Sequence, residues 1–265
     1  MTVFRYELKR MRKNIVIWAL SMGGAIFLML PTYIGFTKGS DGVMVDAMQN
    51  NPLFELLGVG ATFIMTPLGM FSFLGSFASV AAAIYGMGTA FSMHSKEYEN
   101  KSVDFLFTKP AGRKAAFWGK LSACAVGCVI IGLAYSAGAA AALLTLPDIT
   151  VDWWTFLLLA KTLTLIELIF VVFGTVAGTY FSNTRTPVLL SSCVMLVLFT
   201  LATMSRKISQ PLLSYLTPFA FFPPLQVAET RFYDWKFMIW YVVLSAGLIL
   251  LSYRKFLKKD ITFGG

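Results

Sequence analysis

The run "WWTFLLLAKTLTLIELIFVVFGTVAGTYF" (residues 153–181) decides the fold. Lys161 and Glu167 are its only charged residues. Crossing the hydrocarbon core of a bilayer takes about 20 apolar residues of helix, and this run is longer. Lipid cannot hydrogen-bond a backbone, so a spanning segment is either a helix or a strand of a closed barrel. Barrel strands are short and alternate apolar with polar residues. An unbroken apolar run therefore predicts a transmembrane helix.

Working outward, five more runs read the same way, at roughly 15–36, 61–93, 116–146, 187–205 and 235–254. The chain has 265 residues, 57% hydrophobic and only 13% charged, with a mean hydropathy of +0.71. Soluble domains are nearer 45–50% apolar and about 25% charged. The prediction is an all-α integral membrane protein of six transmembrane helices. No Gly/Ser linker or change in composition divides it, so residues 1–265 read as a single transmembrane domain. The second and third runs exceed what a bilayer needs, so those helices should tilt or project beyond it.

Charge sets the expected orientation. The N-terminal flank, the 94–120 connector, the 182–186 loop and the C-terminal tail together hold 16 Lys and Arg, against 5 on the opposite side. Basic residues favour the cytoplasm, which places both termini there, in a multi-pass protein of the cell membrane. The formal net charge of +9 suits anionic lipid. No basic platform with interleaved aromatics lies outside the apolar runs, which argues against nucleic-acid binding.

The flank "TVFRYELKRMRKN" has Val3, Phe4, Leu8 and Met11 at helical spacing with basic residues between. It predicts an amphipathic helix over 1–14, lying in the inner interface ahead of an uncleaved first span. Residues 37–60 are too polar to span and too apolar for a plain loop. Residues 206–234 are apolar but interrupted by Pro211, Pro218, Pro223 and Pro224. Proline removes donors and breaks helices, so this piece predicts a re-entrant or interfacial hairpin at the outer surface before the last span.

Signatures of catalysis are scarce. There is no G-x-x-x-x-G-K-[ST], so no P-loop for ATP, and no H-E-x-x-H or G-x-S-x-G. His94 reads as an interface residue at the inner end of the second span. Cys124 and Cys128 share a helix face, which raises metal or redox chemistry, but two small residues packing in a membrane helix is the simpler reading. No metal site is expected. Glu167 is the sharpest intramembrane feature. A carboxyl group at that depth should face protein or a water-filled cavity, as part of a substrate path, a proton relay or a polar clamp. Lys161, close to two turns earlier, is its candidate companion. Gly174 and Gly178 form G-x-x-x-G, a pattern that lets helices approach closely. Ser136, Ala140 and "AGAAAALL" (137–144) give the third span a similar face.

Between the second and third spans lies "HSKEYENKSVDFLFTKPAGRKAAFWGK" (94–120), with an acidic cluster, an apolar centre, a proline and then basic residues. Phe105, Leu106 and Phe107 would be wasted facing water, whereas a short helix of mixed charge and exposed apolar residues can dock into a groove on a soluble partner. The segment resembles the cytoplasmic coupling helix of type-2 ABC exporter permeases, the family that includes bacitracin-resistance and sodium-export permeases. The matching residues are Glu97, Glu99, Leu106, Pro110, Arg113 and Lys120. Lys101-Ser102 departs from the Gly-Thr or Gly-Ser turn common there. Six spans, the amphipathic N-terminal helix and the apolar hairpin before the last span fit the same family.

That resemblance implies a permease without its own ATPase site. A cytoplasmic ATP-binding subunit would bind ATP and Mg, a second identical or homologous permease subunit would complete the channel, and Glu97, Glu99, Phe105, Leu106, Pro110 and Arg113 would couple the subunits. No cofactor is expected in this chain. An apolar wall with few charges suits an amphipathic or hydrophobic cargo, such as an antimicrobial peptide, drug or lipid. The other class in view is a secondary transporter or channel-like protein driven by an ion gradient through Glu167.

Overall fold

The computed structural model describes residues 2–32, 34, 66–99, 112–146, 150–181, 184, 186–208 and 211–258. Among them there is no strand. The described residues form eight α-helices: α1 (Thr2–Met29), α2 (Pro67–Glu99), α3 (Gly112–Leu144), α4 (Trp153–Tyr180), α5 (Pro187–Ile208), α6 (Pro211–Leu216), α7 (Pro224–Thr230) and α8 (Trp235–Lys258). Six of these, α1 to α5 and α8, are long and apolar enough to cross a membrane. All six expected runs are thus helices, as the absence of backbone partners in lipid requires.

Local chemistry sets their ends. Thr66 Oγ1 accepts from Gly69 N at 2.9 Å and opens α2. Asp152 caps α4 by accepting from Trp154 N, and Pro187 starts α5 where its missing N–H costs nothing. Hydroxyls inside the spans bond back to carbonyls one turn earlier, as Ser191 does to Pro187 and Thr200 to Leu196. A lipid-facing Ser or Thr is thereby satisfied within its own helix.

The spanning helices alternate in direction. One end of the bundle, here the basal end, gathers Val3 against Gly119, Lys120 against Met93 and Arg113 against Leu257. The other, distal end carries α6, α7 and the start of α4. Exposed aromatics mark both levels, with Trp153, Trp154 and Trp235 distal and Tyr6, Trp118 and Tyr180 basal. From Trp153 to Tyr180 the helical rise is about 40 Å, the thickness of a bilayer with its headgroups. At 33 residues each, α2 and α3 would extend about 50 Å, more than the membrane takes.

The closest pairings are α1 with α3 and α2 with α4; α5 lies on α2, and α8 on α4 and α3. One stripe of α1, Glu7, Met11, Ile15, Met22, Ile26 and Leu30, is buried along its whole length. Small residues allow the approach: a Cβ on Gly23 would lie 2.8 Å from Ala134 O.

This stripe corrects one expectation. Residues 1–14 are not set off as a helix of their own in the interface. No Pro or Gly interrupts residues 2–22, α1 is continuous, and the apolar face of its first turns packs on α3. The outer segment at 37–60 lies outside the described residues. The proline-broken segment before α8 forms α6, a 3₁₀ turn over Pro218–Ala220, and α7.

Candidate functional site

A cavity of about 280 Å³ opens at the basal end between α1, α2 and α5. Glu7, Arg10, Met11 and Asn14 come from α1, Gly88, Thr89, Ser92 and Met93 from α2, and Val188 from α5. Its wall is polar for an apolar bundle. Arg10 Nη1 lies 3.9 Å from Glu7 Oε2, and the Glu7 side chain is buried while that of Arg10 is half exposed.

Behind Met93 the wall is built from α3. Lys120 is 1% exposed and its Nζ donates to Met93 O at 2.9 Å. The Cys124 thiol, one turn deeper, donates to Met93 Sδ at 3.2 Å. His94 is fully buried; its Nδ1 is 2.9 Å from Ala90 O, and its ring stands edge-on to Phe117 and Phe256. The expectation of an interface histidine is therefore corrected: α3 and α8 close over it. Arg113 donates to Leu257 O at 3.0 Å, which satisfies a terminal carbonyl of α8.

Deeper in the bundle, Glu167 of α4 is 0% exposed. Neither carboxyl oxygen has a hydrogen-bond partner of ordinary geometry among the described residues. The Cys128 thiol lies against it, and Tyr85 of α2, whose ring is 5.0 Å from that of Trp18, is a polar neighbour. A carboxyl group held this way inside an apolar bundle is costly to keep. Lys161 does not join it. Six residues advance a helix by about 600°, leaving the two about 120° apart, and Lys161 lies on the exposed face, where its stem can reach toward the headgroups.

Gly174 and Gly178 face α2. A Cβ on Gly174 would overlap Met87 O, and one on Gly178 would lie 2.6 Å from His94 Cβ. The two helices touch backbone to backbone there, just where α2 lines the cavity.

At the distal rim a second cavity of about 240 Å³ opens between the start of α2 (Thr66, Pro67, Leu68), the start of α4 (Asp152, Thr155) and the end of α7 (Ala228, Arg231), and rings close the bundle beneath it. Thr217, Pro218, Phe219, Ala220, Phe221 and Phe222 are all buried. Thr217 Oγ1 donates to Leu198 O at 2.8 Å. The Phe219 ring is 5.0 Å from Phe170 and 5.5 Å from Phe199, and Phe222 is 5.1 Å from Tyr233. Around Ser79, Thr162 and Pro224, beneath the rings, lie crevices of about 30 and 20 Å³. Above this wedge Asp152 Oδ2 pairs with Arg231 Nη2 at 3.1 Å. Arg231 closes α7 in the left-handed conformation, at φ 57°, and its carbonyl accepts from Trp154 Nε1 at 3.2 Å. The Thr155 hydroxyl, then Arg231, hold the Asp152 carboxyl below its ordinary range.

Of the expected coupling residues, Arg113 is placed as described. Glu97 and Glu99 fall in the last turn of α2. Phe105, Leu106 and Pro110 lie outside the described residues. Reading the sequence missed Glu7, Tyr85, Lys120 as a buried clasp, and the Phe219–Phe222 wedge. Lys120 and the wedge carried a signal, a lysine inside an apolar helix and an aromatic run between prolines; Glu7 and Tyr85 carried none.

No curated protein matches the sequence. The family model described as ABC-2 family transporter protein matches residues 1–261. With six helices able to span a bilayer and a match over nearly its whole length, the chain is a multi-pass membrane protein that belongs to the ABC-2 transporter family.

Proposed function

We propose that this chain is the permease subunit of an ATP-driven exporter, taking an amphipathic or hydrophobic cargo from the basal side and releasing it distally by alternating access. The observation that carries the reading is how the interior is divided: a polar cavity of about 280 Å³ at the basal end is separated by a buried aromatic wedge from a cavity of about 240 Å³ at the distal rim. Two vestibules with a packed barrier between them suit a transporter that opens to one side at a time. The basic flanks gather at the basal end, which supports placing that end and both termini in the cytoplasm of a cell-membrane protein.

A separate cytoplasmic ATPase would hold ATP and Mg, and a second permease, identical or homologous, would face this one. Glu97 and Glu99 support docking on physical grounds. Anions in the last turn of a helix oppose its dipole, and a cationic surface on the ATPase offsets that cost. Phe105, Leu106 and Pro110 supply the apolar contact and Arg113 fastens the end of α8 beside it. The test is charge reversal of Glu97 and Glu99 to Lys in the reconstituted complex. ATP hydrolysis should continue while cargo movement falls at least tenfold; unchanged coupling would refute the docking role.

A second reading, transport driven by an ion gradient, is favoured by the fully buried carboxyl of Glu167. Glu167→Gln separates the two. The ATP-driven reading expects transport to keep its ATP dependence in this variant. Transport that needs no ATP in the wild type and is abolished in Glu167→Gln favours the gradient.

A further inference from the structure

We propose that Cys124, Cys128 and Met93 form a binding site for a soft monovalent metal ion of the Cu(I) or Ag(I) class, entered from the basal cavity. Two sulfurs meet from facing helices, and a third lies one turn along α3. Cys124 Sγ lies 3.2 Å from Met93 Sδ, and both cysteines are 1% exposed. Cys124 and Cys128 are one helical turn apart on α3, a spacing that puts Cβ atoms about 5–6 Å apart on one face. Two thiolates so placed can close on one ion, with the thioether as a third ligand. Thiolate and thioether ligands select Cu(I) over the harder divalent ions.

The cavity gives an ion a route to these sulfurs. Met93 belongs both to the sulfur cluster and to the cavity wall, so an ion entering the cavity meets its first ligand at the surface. No group of three His, Cys, Asp or Glu has metal-ligand spacing among the described residues. A four-coordinate zinc-type site is therefore unsupported, but a soft ion content with two or three sulfurs remains served.

Binding is coordination without electron transfer. Each thiol that becomes a ligand gives up its proton. Both protons pass to water in the basal cavity. One monovalent cation between two thiolates leaves one net negative charge, beside the Lys120 ammonium anchored on Met93 O. Exposed Cys193 on α5 takes no part. The site does not depend on the transport reading and would stand in a membrane protein of any activity.

The experiment uses the full chain in lipid nanodiscs with Cys193→Ser, titrated with Cu(I) against a chromogenic Cu(I) chelator. One ion per chain should bind, with ultraviolet thiolate-to-copper charge-transfer absorption. Affinity should fall at least 100-fold in Cys124→Ser/Cys128→Ser. Met93→Leu keeps the side-chain volume; it should melt like its parent without metal, yet bind at least tenfold more weakly. No uptake by the Cys193→Ser protein overturns the proposal. So does equal affinity in either the double serine or the Met93→Leu protein.

Discussion

The basal and distal halves of this bundle solve opposite problems. The basal half keeps a cavity and lines it with groups that are expensive in lipid: Glu7, Arg10, Asn14 and Thr89 at the wall, and Lys120 and His94 behind it. The distal half places a barrier of rings beneath its own rim cavity of about 240 Å³. Phe219, Phe221 and Phe222 fill the gap between α4, α5 and α8 and leave two small crevices beneath them. The difference teaches where the molecule can change. Ring packing is non-directional and can separate and reform, whereas buried charges must keep their partners through any movement. The distal wedge therefore suits a closure that opens, and the basal clasp around Met93 suits a pivot.

The largest effect is expected where α2 and α4 share a backbone contact in the basal half. Gly178→Leu must push His94 and Phe91 away, because even a Cβ there would lie 2.6 Å from His94 Cβ and 2.8 Å from Phe91 O. The cost should reach about 3 kcal/mol or more, the upper range of overpacking, read as a drop in thermal stability in detergent. A melt unchanged from wild type would mean that α2 and α4 are not held this closely.

A smaller loss is expected from Phe222→Ala. Emptying a buried ring position costs about 3–5 kcal/mol in soluble cores. Lipid solvates an exposed ring well, so the loss here should be about 1–3 kcal/mol, mostly in packing. The sharper readout is distal leak: Thr162, beneath the wedge, should become reactive as Thr162→Cys once Phe222 is truncated. A tight distal half in that variant would remove the wedge from its sealing role.

The smallest effect is a pH dependence at the distal rim. The folded protein holds the Asp152 carboxyl below its ordinary range, first through the Thr155 hydroxyl and then through Arg231. Its contribution is therefore fully present above the unfolded carboxyl value of about 3.9. It is lost as pH falls through the lower folded value. The melting difference between wild type and Asp152→Asn should be constant from pH 7 to about 5 and close as pH drops below 4. A difference that persists at pH 3 would show that the Asp152 charge contributes nothing to stability.

Much of the fold was legible because lipid imposes a simple rule, and long apolar runs can satisfy it only as helices. Helix ends were legible only as the limits of apolar runs; the Asp152 cap of α4 and the Pro187 start of α5 emerge in the structure. Facing was less legible. Glu167 was identifiable as intramembrane, but its neighbours on α2 and α3 depend on how three helices rotate against one another. Lys161 was paired with it by proximity in sequence, and the helical angle takes them apart. The flank at 2–14 has an amphipathic pattern that lipid headgroups or a neighbouring helix could each satisfy; only tertiary contact with α3 distinguishes them. Glu7 shows the same limit, an acidic residue in a basic flank that becomes buried once α1 is seated.

The asymmetry itself is open to one direct measurement: labelling Thr89→Cys and Thr162→Cys, each with Cys193→Ser, by a membrane-impermeant maleimide applied to either face of the membrane. Without nucleotide, Thr89→Cys should react from the cytoplasmic face, and Thr162→Cys from neither. With the ATPase subunit and a non-hydrolysable ATP analogue, Thr89→Cys should become protected and Thr162→Cys should react from the outer face. Labelling of Thr162→Cys from outside without nucleotide, or a pattern that ATP analogue leaves unchanged, would contradict alternating access through this bundle.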